Sequence, residues 1–592
     1  MSFPSVRIGG VERGPFAVMV VAGGPMLAGA STVTPWWVLA VVVGVLVVTV
    51  TVRFGRRTAV RWLLDWVAFR TGRDARARER SRPWHVRDVQ VAAGVCGVHE
   101  DDAVLVAMIQ LAPDLDLPTV IAERTVYTED TIGVETLLPL LDQYGIAVDI
   151  DIVTTGQRVR PGGSYSMLYD QLLGAHPVVG NRMSWLVVRL DQERNLIALS
   201  RRGPLDVVAP KALASAAHRI AGRLREQGIN AQPLPADALR QASRLLHAGV
   251  ELSDLREKWG HLESSVASRS VSSFLIDWNR LGDTGLDDCW SWNRGRTTVV
   301  VSLAGGAVGA RGLVRYVGPT ISGTPVDYLL PLGGRQSAAL LASLPTGISV
   351  GAIPADEEGS DIAPAETLDD LTMAIGPSGQ ILGSISGQPR HTLALPLFDP
   401  SLYNPQRRTI DVRADLPVAQ QLVLRAMVVG ADVEVYSSRP QRWEQLVSAV
   451  GDPASLRLVH DEQAGGPDPA TEPVSQAMVA VFDQVPPRVS AAPTTVTISD
   501  PGRPRQRAAD LAIDQVSATA VDVGIPMRTV RVELIEPRGE MRYLDYPDAG
   551  GPPPDAPPVA TAENGHWPVP PIVPPSDPPV GGGQIGQGEM GR

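Results

Sequence analysis

Residues 35–52 read PWWVLAVVVGVLVVTVTV, eighteen consecutive positions without a charge and nearly all apolar. A helix that crosses a hydrocarbon core needs about 20 apolar residues, with a range of roughly 17–25, so this run has the length and chemistry of a span. An earlier uncharged run, Phe16 to Ala30 (FAVMVVAGGPMLAGA), is shorter, and only Ser31 to Thr34 separate the two. Together they predict a two-helix transmembrane hairpin over residues 1–57. Trp36 and Trp37 fit the aromatic belt at a membrane interface. Gly23, Gly24 and Gly44 are candidate helix-packing positions, because small residues let helices approach closely in lipid. Neither run carries a charge, so neither offers a proton relay of its own.

Arginine sets the expected orientation. Between Arg53 and Arg87 stand eleven arginines and three acids, Asp65, Asp74 and Glu79, a local charge of +8. Basic residues flanking a span stay on the cytoplasmic side, and Arg7 and Arg13 before the first run point the same way. The expected topology is a two-pass protein of the inner (plasma) membrane with both termini cytoplasmic. A competing reading makes the first run a secretory signal, with Arg7 and Arg13 as its basic region and Ala28-Gly29-Ala30 as its cleavage site. The bulk of the chain is cytosolic under either reading. Arg53, Arg56, Arg57 and Arg61 form a basic collar expected to face the membrane and its anionic lipid. The juxtamembrane segment 58–84 opens with TAVRWLLDWVAF. There Val60, Leu63, Leu64 and Val67 make one helical stripe, and Trp62, Trp66 and Phe69 make another. A helix so apolar needs lipid or protein around most of its girth.

The whole chain has 53 basic and 64 acidic residues, a net charge of −11. A nucleic-acid binder would normally be basic, so no nucleic-acid partner is expected. Removing the +8 segment leaves −19 for the rest, so a basic collar and an acidic body are the two surfaces on offer. Two cysteines, Cys96 and Cys289, exclude a disulfide framework and a Cys-rich zinc site.

Strand and helix patterns alternate from Val86 onward, which predicts a mixed α/β fold. A first cytosolic domain is expected over 85–250 and a second α/β region over 271–545, joined by a polar, helix-prone connector at 251–270. Within the second region, Thr409 to Val450 reads as strand, helix, strand, helix. The last 46 residues, Pro547 onward, hold 13 prolines and 9 glycines. A segment of that composition cannot bury enough apolar surface to offset its ordering, so 546–592 is expected to be a disordered tail.

The search for chemistry is mostly negative. A P-loop needs a lysine after glycine, and the only lysines, Lys211 and Lys258, follow Pro210 and Glu257. A GxGxxG match at Gly581, Gly583 and Gly586 lies in the tail with no strand before it. Gly347-Ile348-Ser349-Val350-Gly351 matches GxSxG, but a nucleophile elbow requires a strand before the serine and a helix after it, and no helix pattern follows. His99-Glu100-Asp101-Asp102 gathers metal-capable side chains between two strands, a pattern more typical of a solvated turn. Asp287-Asp288 and Asp369-Asp370 could serve a transferase-like site. No catalytic, cofactor or metal residue is assigned.

The order of blocks is similar to that of the EccE family, a membrane core component of the type VII (ESX) secretion system of mycobacteria and related actinobacteria. The blocks are the apolar hairpin, the exit FGRRTAVRWLLDWVAFR, then SYSMLYDQLLGAHPVVGNRMSWLVVRLD followed by RRG at Arg201 to Gly203. AHRIAGRLREQGINAQPL and QLVLRAMVVGADVEVYSSRPQRW come after it. The likeness runs over roughly residues 15–450. It implies a non-enzymatic structural subunit that sits with EccB, the EccC ATPase and EccD and supports export of substrate proteins across the inner membrane. It carries over no catalytic residue and no cofactor. Two alternatives remain open from the residues alone: a membrane-anchored, transferase-like enzyme of envelope or lipid metabolism, and a membrane-tethered scaffold outside secretion.

Overall fold

A computed structural model describes residues 6–8, 52–54 and 57–545, apart from 124, 283–284, 306–308, 355–360, 460–476, 505–508, 527 and 538. The run 16–30, nearly all of 35–52 and the tail from 546 onward lie outside the described residues, and with them the hairpin, the signal-peptide alternative and the expected disorder.

The strand Val104–Leu111 (VLVAMIQL) explains the first half of the fold. Successive side chains of a strand point to opposite faces. Leu105, Ala107, Ile109 and Leu111 enter one core while Val106 and Met108 enter another. A strand apolar on both faces must be covered on both faces. The 22-residue helix Leu205–Glu226 covers one side, through Leu213, Ala217, Ile220 and Leu224. The helix Ala236–Leu246 and the short helix Gln336–Ala342 cover the other, through Leu239, Ala242, Leu246, Ala339 and Leu340. The sheet between them has 12 strands, all paired antiparallel. Its path runs from Leu255–Glu257 through Ser270–Ile276, Ala310–Gly318, Arg296–Leu303, Asp149–Gln157, Asn181–Asp191 and Val104–Leu111 to Val86–Val91.

The second sheet, also of 12 strands, is mixed. Leu456–Val459, Val433–Ser437, Val479–Asp483, Thr494–Ser499, Arg408–Arg413 and Leu511–Ser517 run parallel, and the strands beyond them pair antiparallel. Toward its far end Thr119–Ile121, from the early part of the chain, pairs with Gln388–Leu395 and carries Val126–Tyr127 at the edge. Every residue of the helix Leu416–Val428 is buried, including Gln420, Gln421 and Arg425. The buried Arg425 meets the buried Glu540 (Nη2 to Oε2, 3.1 Å).

The expected fold class is therefore corrected. Among the described residues no helix is long and apolar enough to cross a membrane. The body is not simple α/β alternation either: its first sheet is wholly antiparallel, and the connector expected to be helical holds the strands Leu255–Glu257 and Leu262–Ser264. The reason is visible in Ser270–Ile276 (SVSSFLI), where every residue is buried although three of the seven are serines. A sheet covered on both faces does not need hydrophobic alternation, so its strands lack the period on which sequence reading depends.

Candidate docking surface of the arginine-rich segment

The helix Ala59–Thr71 (AVRWLLDWVAFRT) begins the described body. Its two expected stripes do not share one fate. Phe69 is buried, whereas Trp62, Leu63, Leu64, Trp66 and Val67 are all exposed, Leu64 at 59%. The contact with the body is made through Trp259, whose ring lies 5.8 Å from that of Trp62 and 5.4 Å, edge-on, from that of Phe69. A side chain at Gly333 or Gly334 would strike this indole: a Cβ on Gly333 would stand 2.5 Å from its Nε1. Glycine at these two positions therefore lets the loop lie flat against Trp259.

Polar ties fix the rest of the segment. Asp65 pairs with Arg335 at 2.9 Å. Arg76 reaches Glu257 at 2.5 Å, donates to the Phe69 carbonyl and covers the Phe69 ring. Glu257 also accepts from the Ser337 amide at 2.9 Å. Arg80, buried, donates to the Leu255 carbonyl at 2.7 Å and to the Ser337 hydroxyl. The arginines of 58–84 thus divide by burial. Arg76 and Arg80 are spent on joining the helices to the first sheet, while Arg70, Arg73 and Arg78 face outward.

Of the sequence-predicted collar, Arg53 lies on the strand Val52–Phe54, Arg57 on the two-residue strand Arg57–Thr58 and Arg61 within the helix. Arg56 lies outside the described residues, as do Gly23, Gly24 and Gly44. The sequence reading missed Trp259 and Glu257. Neither has a local pattern, and their role exists only because the chain returns some 180 residues later.

The remaining chemical candidates have ordinary settings. His99 is buried with its ring tilted against that of Trp84 at 4.6 Å, and burial pushes its pKa below the usual histidine value. The three neighbouring carboxylates are engaged: Glu100 pairs with Arg87, Asp101 and Asp102 take Arg82, and Asp101 also accepts the Gly347 amide at 2.7 Å. Ser349 precedes only the three-residue turn Val350–Ala352, not a helix of the elbow type. Cys96 and Cys289 are buried thiols whose pKa values are pushed up, Cys96 to about 12. Asp287 sits beside the buried Arg182, with burial raising its pKa. Asp369 and Asp370 end the separate helix Ala365–Asp370.

The fold and this surface define a two-sheet body that presents an apolar, arginine-flanked helix at its entry. Residues 178–276, from the edge of Asn181–Asp191 to the end of Ser270–Ile276, match the family model described as "Putative type VII ESX secretion system translocon, EccE". The chain is 26% identical over 475 residues to the ESX-2 secretion system protein EccE2 of Mycobacterium tuberculosis (strain CDC 1551 / Oshkosh), covering 76% of this chain and 82% of the relative. It is 27% identical over 337 residues to the ESX-1 secretion system protein EccE1 of Mycolicibacterium smegmatis, covering 56% of this chain and 62% of that relative. To the ESX-5 secretion system protein EccE5 of Mycobacterium tuberculosis (strain ATCC 25618 / H37Rv) it is 30% identical over 182 residues, 30% of this chain and 43% of the relative. These similarities support an EccE-type protein.

Proposed function

We propose that this chain is a non-enzymatic structural subunit of a type VII (ESX) secretion complex, held at the cytoplasmic face of the plasma membrane, where it supports export of substrate proteins. Its partners in this reading are EccB, the EccC ATPase and EccD. The similarity to EccE proteins supports the setting. One observation carries the role: a helix of 13 residues leaves five large apolar side chains in the open while its other side is tied to the body. Single exposed apolar residues need no explanation, but a contiguous patch marks an interaction surface. At about 1.5 Å per residue this helix is roughly 20 Å long, too short to span a bilayer and suited to lying along its surface. Arg53, Arg56 and Arg57 precede it, Arg61 stands near its start, Arg70 in its last turn and Arg73 just past its end, a charge pattern that suits anionic lipid.

The experiment is complementation of a deletion strain. Leu63→Asp combined with Leu64→Asp should leave the folded body intact in proteolysis, reduce the membrane-bound fraction and lower secretion. Wild-type secretion from that variant, or from the deletion itself, overturns the reading.

A further inference from the structure

We infer that the cleft between the helix Ala236–Leu246 and residues 80–84 binds a phosphate-bearing anion. The cleft has a volume of about 370 Å³ and is lined by Arg80, Arg82, Arg240, Ser243, Arg244 and His247. Positions 240, 243, 244 and 247 share one helical face by spacing, so one helix and its C-terminal cap residue deliver two guanidiniums, a hydroxyl and an imidazole to one wall.

The donors are not all consumed by the protein. Arg80 is held by carbonyls and the Ser337 hydroxyl, Arg82 by Asp101 and Asp102, and Arg240 by Asp237 and the Val86 carbonyl at 3.1 Å. The Arg244 guanidinium makes no ion pair or hydrogen bond among the described residues, and Glu251 is the one carboxylate on the wall.

A further cation lies beneath the floor. Arg315 is fully buried and donates to Ser343 Oγ (2.6 Å), the Leu246 carbonyl (2.5 Å) and Thr298 Oγ1 (3.2 Å). Among the described residues it meets no carboxylate, and its Nε has no partner. A buried charge without a counter-charge is costly, and an anion in the cleft above would lower that cost. Arg315 also occupies the Leu246 carbonyl, which blunts the negative end of the helix dipole that would otherwise repel an anion. The same positive field acts on His247, whose pKa is pushed down to about 4 by burial, Arg315 and Arg244. The neutral imidazole keeps an N–H to donate.

Guanidinium groups are the usual partners of phosphate. The volume exceeds what a bare phosphate fills and falls in the range of small-molecule sites, so the ligand class is a phosphate ester with a small organic part. A soluble ester and a lipid headgroup share that chemistry. The inference does not depend on the secretion role and is tested without it.

The detergent-purified full chain is titrated with glycerol 3-phosphate by calorimetry at matched ionic strength, and in parallel with nanodiscs of phosphatidylglycerol or phosphatidylcholine. Saturable binding of glycerol 3-phosphate assigns a soluble ester. Binding confined to phosphatidylglycerol discs and displaced by Arg244→Gln assigns a headgroup. In either case Arg244→Gln should weaken binding about tenfold, Arg244→Lys should regain part of it, and Arg223→Gln, on the separate helix Leu205–Glu226, should change nothing. Thermal unfolding of the free variants is followed to establish that they fold. No saturable binding to any probe, or equal weakening by Arg223→Gln and Arg244→Gln, overturns the inference.

Discussion

Replacing Trp259 by alanine should release the entry helix without unfolding the body. The indole makes two aromatic contacts, to Trp62 at 5.8 Å and to Phe69 at 5.4 Å. Such pairs contribute about 0.5–1.5 kcal/mol each beyond their buried area, so together about 1–3 kcal/mol. Phe69, otherwise buried, also loses part of its cover. The remaining ties are the Asp65–Arg335 and Arg76–Glu257 pairs. Ion pairs near the surface each hold about 0–1 kcal/mol, which does not replace the loss. Each 1.4 kcal/mol is a factor of ten, so the population with the helix undocked should rise about 5- to 150-fold. Hydrogen exchange of the purified chain reads this directly. Amides of 59–71 should exchange faster in Trp259→Ala and intermediately in Trp259→Phe, while the central strands Ser270–Ile276 and Ala310–Gly318 keep their protection. Unchanged exchange in 59–71 would refute the docking role of Trp259. Equal acceleration in the central strands would show that Trp259 belongs to the core of the body.

Further outcomes follow from buried charge. Glu540→Gln removes the counter-charge of Arg425 and weakens the bond from the Tyr165 hydroxyl. Breaking a buried pair on one side costs about 3–5 kcal/mol, so the urea midpoint of the second sheet should fall clearly, and a midpoint equal to wild type would contradict the account. Two groups titrate oppositely in one pH window. Burial raises the folded pKa of Asp130 from 3.8 to about 6, so the folded state holds more protons and stability from this group falls as pH rises from about 4 to 6. His247 is lowered from 6.5 to about 4, so the folded state holds fewer protons and stability from it rises over the same range. Relative to wild type, Asp130→Asn should therefore gain stability as pH rises from 4 to 6.5, and His247→Gln should lose it. Thermal unfolding across that range checks both signs. Gly97→Ala should destabilise the packing of Gly94–Asp101 against the start of the helix Ala236–Leu246, because a Cβ there would lie 2.7 Å from the Ala236 nitrogen. A Tm equal to wild type would contradict this.

Local sequence carried much of the secondary structure. Ser164–Leu173 forms a helix closed by Gly174. The order expected from Thr409 to Val450 is present as Arg408–Arg413, Leu416–Val428, Val433–Ser437 and Gln441–Val450. These elements bury one clear stripe or stand between glycine and proline stops, signals that act over a few residues. Elements stabilised by distant partners were not legible. Ala310–Gly318 (ARGLVRYVG) contains two arginines, and it becomes a central strand only because Arg315 finds Ser343 and Leu246 on separate elements. The separation of the two strands of the βαβα order was equally hidden. Arg408–Arg413 and Val433–Ser437 are separated in the sheet by Thr494–Ser499 and Val479–Asp483, which arrive later in the chain. At the docking surface, composition supplied the apolar helix and its arginines, but their division into inward ties and an outward face depends on Glu257, Trp259 and Arg335.

The most direct test of the central claim is the native assembly state of the full-length chain. Affinity purification from native membranes in gentle detergent should recover it at fixed stoichiometry with an FtsK-like ATPase and a polytopic subunit, in a complex far larger than 63.1 kDa. Recovery as a lone monomer, with secretion intact in the deletion strain, would contradict the account.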